Sequence, residues 1–309
     1  VDYHLILDSP YVGILISSVA FLLSLFMIYK IAILDIQKNV ASLALFLISF
    51  FPLSFFYHSV YADSLFLLLT TSSFYAARCG NWLLAGVFGG LATASRLSGI
   101  ALLPALLVEW YIQNEKNLPL NKHNALLWSK KQVKAWSKMV LPFAKSGLIA
   151  LVLSSLGLLS YLAYLQLEYG DWKLFQTSFS AWQQQRFILP PQTLFRYLKI
   201  LITVDKTLLV YWVAVFELVT LFVYMWLTYF VWKKIRVSYG VFMAVLLILV
   251  AFTGTFAGTA RYMLHLFPGF IGMAVLVEKY KRYRLAVVLT FLILGFILTG
   301  LFTRGYFIS

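Results

Sequence analysis

Phe50 to Arg78, FFPLSFFYHSVYADSLFLLLTTSSFYAAR, is the stretch that decides the fold class, because two apolar runs flank a short polar break, HSVYADS, that carries a single carboxylate, Asp63. Each flanking run, about Val40 to Tyr57 and Tyr61 to Ala77, approaches the roughly 20 residues that a membrane-crossing helix needs. The break therefore reads as a tight turn between two spans, with Asp63 at or just below the water interface. Two readings of Asp63 stand side by side. With Ser64 it caps the second helix, satisfying free backbone N–H groups at the positive end of the helix dipole. Alternatively, beside Tyr57, His58 and Tyr61 at the mouth of a helix bundle, it handles a polar substrate, since ionisable groups near membrane depth are costly and face cavities.

Composition extends this reading to the whole chain. Of 309 residues, 62% are hydrophobic and 12% charged, where a soluble domain carries about 25% charged residues. The expected class is an all-α, polytopic transmembrane bundle. A single cysteine, Cys79, excludes an internal disulfide and a thiolate metal cluster, and His4, His58, His123 and His265 show no ligand spacing. No metal and no cofactor are expected. A net charge of +14 is read through the membrane and its anionic lipids rather than through nucleic acid.

Hydrophobic windows predict about ten spans, near 10–34, 40–57, 61–78, two short ones within 82–111 meeting at Ser95-Arg96-Leu97-Ser98-Gly99, then 146–165, 205–232, 238–257, 261–277 and 285–303. The basic loop 113–145 holds seven lysines against one glutamate. Its Trp128, Val133 and Trp136 alternate with lysines, as in a helix lying on an anionic leaflet. Placing this loop in the cytoplasm puts seventeen of the 25 Lys and Arg on the inner side and both termini outside. Asp63, Arg96, Arg261 and the loop 166–204 then share the outer face. Arg96 either snorkels to headgroups or joins a site. Arg261 opens a span with a cation at a helix N-terminus, where the dipole disfavours it, which favours an anionic partner. In the outer loop, Trp172, Phe175, Phe179, Trp182 and Arg186 recur at spacings of three and four. They predict an interfacial helix that Pro190 and Pro191 would stop. The stripe reads as a membrane anchor, with Arg186 at its tip within reach of a lipid phosphate. The opening VDYHLILDSP, which starts at Val1 rather than at a methionine, reads as the end of an extramembrane segment with sequence missing upstream. No Walker-type loop or ring of pore charges is present.

Four motifs occur in order at the breaks between spans: P-x-S-x-F-x-x-S-V-Y-A-D-S-L-F from Pro52, A-T-A-S-R-L-S-G from Ala92, G-D-x-x-x-F from Gly170 with W-x-x-x-R and prolines to Pro191, and R-Y-x-L-x-x-F-P from Arg261. Together they resemble the GPI mannosyltransferase II family, in its eukaryotic PIG-V branch and prokaryotic relatives, within the wider group of GT-C glycosyltransferases. The resemblance implies a polyprenyl-phosphate mannose donor and a lipid-linked or surface glycan acceptor on the non-cytoplasmic face of a bacterial or archaeal plasma membrane, the endoplasmic reticulum being the alternative. It implies Asp63 as a supporting acid, Arg96, Arg186 and Arg261 as phosphate ligands, and Tyr61, Trp182, Tyr262 and His58 as substrate contacts. The family's Trp-Asp motif, which carries its likely base, occurs nowhere in this sequence, so the main base is expected upstream of Val1. The chain as given is therefore expected not to transfer sugar. The other readings are a lipid-carrier transporter or scramblase and an inactive membrane protein.

Overall fold

The structure, a computed structural model, describes residues 10–114, 130–178, 188–256 and 258–306, with residues 130–145 described by their backbone alone. Among the described residues there are helices and turns and no strand. In chain order the helices are α1 (Pro10–Ala32), α2 (Lys38–Ser49), α3 (Asp63–Arg78), α4 (Trp82–Ser95), α5 (Leu102–Asn114), α6 (Lys130–Tyr169), α7 (Leu174–Ser178), α8 (Pro190–Thr203), α9 (Leu209–Lys234), α10 (Val237–Ala251), α11 (Thr259–Tyr262), α12 (Phe267–Lys279) and α13 (Arg284–Thr303). Short 3₁₀ turns join some of them, notably Ser54–His58, Leu97–Ala101 and Met263–His265.

By length and composition, four segments among the described residues suffice to cross a membrane: Pro10–Ala32, Ser146–Tyr169, Leu209–Lys234 and Lys281–Thr303. A fifth is the pair Thr259–His265 and Phe267–Lys279, bent by 86°. The other apolar runs appear as shorter helices: α2 with 12 residues, α3 with 16, α4 with 14, α5 with 13 and α10 with 15. At about 1.5 Å per residue these fall short of a hydrocarbon layer of roughly 30 Å. The shortening has local causes. The run from Val40 ends as a helix at Ser49, two residues before Phe51-Pro52, where the proline disfavours helical backbone in the residue before it. The 82–111 run breaks at Arg96, which lies in extended backbone at φ −152° and ψ 140°, as the sequence predicts.

One segment departs from expectation. The end of the basic loop, residues 130–145, is continuous helix with the following span rather than a separate surface helix; residues 115–129, Trp128 among them, lie outside the described residues. Of the expected interfacial helix from Trp172 to Arg186, Leu174–Ser178 is helix, while residues 179–187, which hold Phe179, Trp182 and Arg186, are likewise outside the described residues. Pro190 and Pro191 open α8: at the first helical positions the missing N–H is an orphan in any case and the fixed φ is already helical. The opening segment from Val1, read from sequence as extramembrane, also lies outside the described residues as far as Ser9.

Packing follows from small residues and aromatics. A Cβ built on Gly157 of α6 would lie 1.7 Å from the Gly90 carbonyl oxygen of α4, so these helices touch backbone to backbone. Such close approach maximises dispersion contact, which must hold helices together where lipid removes the hydrophobic drive between them. Phe74 sits at the centre of an edge-to-face cluster with Tyr239, Phe242 and Phe267, joining α3, α10 and α12. By contrast α13 has no fully buried residue: Phe296 on its outer side is 84% exposed, while Phe291 and Phe302 on the other side pack on Phe51, Phe55 and Phe56.

Candidate functional site: a buried carboxylate held by two arginines and a histidine

Asp63 is the first residue of α3, and the cap position before it is Ala62, which makes no side-chain cap. The Asp63 carboxylate therefore does not cap the helix. Its oxygens go instead to side chains from two distant breaks. Oδ1 accepts from an Arg96 terminal nitrogen at 2.7 Å and is bonded to His265 Nε2 at 2.8 Å, while Oδ2 accepts from Arg261 Nε at 3.2 Å and an Arg261 terminal nitrogen at 2.8 Å. Tertiary contact wins over local capping because a guanidinium offers full charge and paired donors to the same oxygens.

Each partner is delivered by a break. Arg96 extends from the end of α4. Arg261 and His265 lie four residues apart on the turn formed by α11 and Met263–His265, a spacing that places both on one face. At Leu266 the chain then bends by 86° into α12. Phe66 packs edge-on against the His265 ring at 4.8 Å. The Tyr57 hydroxyl, fully buried, donates to the Leu264 carbonyl at 2.6 Å, tying the 54–58 turn to the segment that bears Arg261 and His265. Ser64 Oγ donates to the Tyr57 carbonyl at 2.5 Å.

The accessible charge belongs to the arginines. Asp63 and His265 have no exposed side-chain surface, whereas Arg96 keeps 20% and Arg261 21%. Two guanidinium groups against one carboxylate leave net positive charge at the rim. Tyr61 and Phe56 line the Arg261 guanidinium, with ring centroids at 4.0 and 4.5 Å, and Tyr262 lies 5.9 Å from that of Arg96. Ser98 Oγ and Thr259 Oγ1, on the two arginine-bearing segments, are buried without a hydrogen-bond partner. A cation pair fixed by a buried acid, with spare N–H donors on each guanidinium and aromatic walls, can bind an oxyanion and accept charge that develops on it.

Of the site residues expected from sequence, Asp63, Arg96, Arg261, Tyr61 and Tyr262 come together. His58 does not join them: its Nδ1 is paired with Ser18 Oγ on α1 at 3.1 Å and its ring packs edge-on to Phe21. Trp182 and Arg186 lie outside the described residues, as does Val1, upstream of which the main base is expected. His265 is the member that sequence reading overlooked, though its spacing of four from Arg261 was a usable signal.

A second polar cluster was also missed. The Arg78 guanidinium donates to both oxygens of Asp35, at 2.6 and 2.9 Å, and to Tyr239 Oη at 2.6 Å. Arg236 pairs with both oxygens of Glu109, at 2.7 and 2.6 Å, and Ser238 and Gln113 donate to the same carboxylate. Asp63 and Arg78 begin and end α3, fifteen positions apart, so the two clusters are separated by roughly 22 Å. The second is charge-balanced, two arginines against two acids, and ties α3, α5 and α10 to the α1–α2 turn. Among the described residues, no group of three or more His, Cys, Asp or Glu is arranged to hold a metal ion.

No protein-family model, no curated protein and no solved structure matches this sequence.

Proposed function

We propose that this protein is a membrane glycosyltransferase that moves mannose from a polyprenyl-phosphate donor to a lipid-linked or surface glycan acceptor. In this reading the shorter helices complete about ten crossings in a GT-C-like bundle, the Asp63 cluster faces the non-cytoplasmic side of a bacterial or archaeal plasma membrane, and the Arg78 cluster faces the cytoplasm. The observation that carries it is the meeting of Arg96 and Arg261 on one buried carboxylate. They come from separate helix breaks, and the motifs at those breaks are two of the four that resemble the mannosyltransferase family.

In the reaction the acceptor oxygen forms a bond to the sugar's anomeric carbon as the bond from that carbon to the phosphate oxygen breaks. The bonding pair leaves with the polyprenyl phosphate, whose growing charge Arg96 and Arg261 would stabilise. The acceptor proton must pass to a base. Both Asp63 oxygens are already engaged by cationic or ring donors, so its role is to hold the arginines rather than to take that proton.

A transporter of lipid phosphates is the weaker reading. The mid-helix hydroxyls Thr71 and Ser73 of α3 donate to the Leu67 and Ala85 carbonyls instead of lining a polar route between the two clusters. The test is binding of radiolabelled polyprenyl-phosphate mannose to the protein in nanodiscs, and transfer from it to a glycan acceptor. Donor binding that is abolished by Arg96→Met or Arg261→Met is expected. Absence of donor binding in the wild-type protein would refute the enzyme reading.

A further inference from the structure

Glu217 is an acid in the body of α9 and is 3% exposed, yet among the described residues no Lys, Arg or His pairs with it. A carboxyl held in such surroundings costs several kcal/mol unless something compensates. Its compensation is Tyr197 of α8, whose hydroxyl donates to Oε2 at 2.7 Å, together with the Gly258 backbone N–H, which also approaches the carboxylate. The same Tyr197 oxygen accepts from the Phe256 backbone N–H at 3.0 Å and lies 3.3 Å from Thr255 Oγ1, while its ring packs against Phe256 at 4.9 Å. Phe256 in turn receives the Thr259 N–H on its carbonyl at 2.9 Å. Thr259 begins the four-residue helix that carries Arg261, behind a cap at Gly258 whose left-handed φ of 80° favours glycine.

We propose that Tyr197 and Glu217 are positioning residues for Arg261. Glu217 orients the Tyr197 hydroxyl and meets the Gly258 N–H, the hydroxyl holds Thr255 and Phe256, and together they set where α11 presents the guanidinium to Asp63 and to an anionic ligand. Helix α11 is too short to hold its own place: four residues make barely one helical turn, so its position is imposed by what grips its ends. Tyr57 grips the segment after Arg261 through Leu264, and Tyr197 grips it before. The ligand part of this inference rests on the phosphate reading of the site; the mechanical part does not.

The experiment combines backbone hydrogen exchange with binding of dodecyl phosphate, a simple alkyl phosphate, to the whole protein in nanodiscs. In Tyr197→Phe, exchange should rise about tenfold across 253–262 and dodecyl phosphate affinity should fall about tenfold, the scale of one buried hydrogen bond. Glu217→Leu should behave alike, whereas Glu217→Gln, whose amide oxygen still accepts from Tyr197, should stay near wild type in both readouts. Unchanged affinity in Tyr197→Phe would overturn the proposal. So would a Glu217→Gln protein as impaired as Glu217→Leu with normal exchange, since that would assign the carboxylate's charge, not its grip, as the essential property. If the wild-type protein binds no dodecyl phosphate, the phosphate reading fails by itself. The positioning role then stands on exchange at 259–262, supported if faster in Tyr197→Phe and refuted if unchanged.

Discussion

Replacing Asp63 with Asn keeps the side chain's shape and removes the one negative charge that Arg96, Arg261 and His265 share. Breaking a buried ion pair from one side costs about 3–5 kcal/mol, because the partner's charge is left without compensation. Here two guanidinium groups lose their counter-charge together, but each keeps about a fifth of its surface exposed and can turn towards water or headgroups. The expected cost is therefore at the low end, about 3 kcal/mol. The assay is reversible unfolding by dodecyl sulfate in mixed micelles, comparing wild type, Asp63→Asn, Arg96→Gln and the double variant. Because Asp63 and Arg96 are direct partners at 2.7 Å, the double variant should be less destabilised than the two single effects added together. A loss under about 1 kcal/mol in Asp63→Asn, within the range of an exposed pair, or simple additivity with Arg96→Gln, would refute the claim that this carboxylate organises the arginines.

His265→Gln retains a nitrogen donor towards Asp63 and should cost about 1 kcal/mol, whereas His265→Ala leaves Asp63 Oδ1 short of a partner and should cost about 2 kcal/mol in the same unfolding assay. Gly157→Ala places a methyl 1.7 Å from the Gly90 oxygen, so α4 and α6 must separate; a loss of about 3 kcal/mol or failure to accumulate is expected, and a thermal midpoint equal to wild type would contradict the packing. Arg78→Lys keeps charge but not the two-pronged grip on Asp35, and should cost about 2 kcal/mol. Cys79 is exposed beside Arg78, so in the proposed topology a membrane-impermeant maleimide labels it in inside-out vesicles only; labelling of intact cells would invert the assignment.

Much of the architecture is a local property of the chain. Runs of apolar residues near helix length, interrupted at HSVYADS, at Arg96 and at Arg261, are enough to mark an all-helical chain with segments long and apolar enough to cross a membrane and to locate its breaks, since composition and periodicity act over a few neighbouring residues. The same locality points to Asp63, Arg96 and Arg261 as costly charges at breaks on one side. What lay beyond local reading is which partner each charge takes. Asp63 and Arg261 are 198 positions apart, and Arg236 and Glu109 are 127. Only the packing of α3, α5, α10 and α11 decides that the Asp63 carboxylate meets guanidinium groups rather than its own helix's N–H groups, that His265 turns inward while His58 turns to α1, and that Glu217 finds Tyr197. A charge buried in an apolar bundle must be paired, which the sequence by itself already demands; the partner is chosen by whichever donor the folded helices bring within about 3 Å.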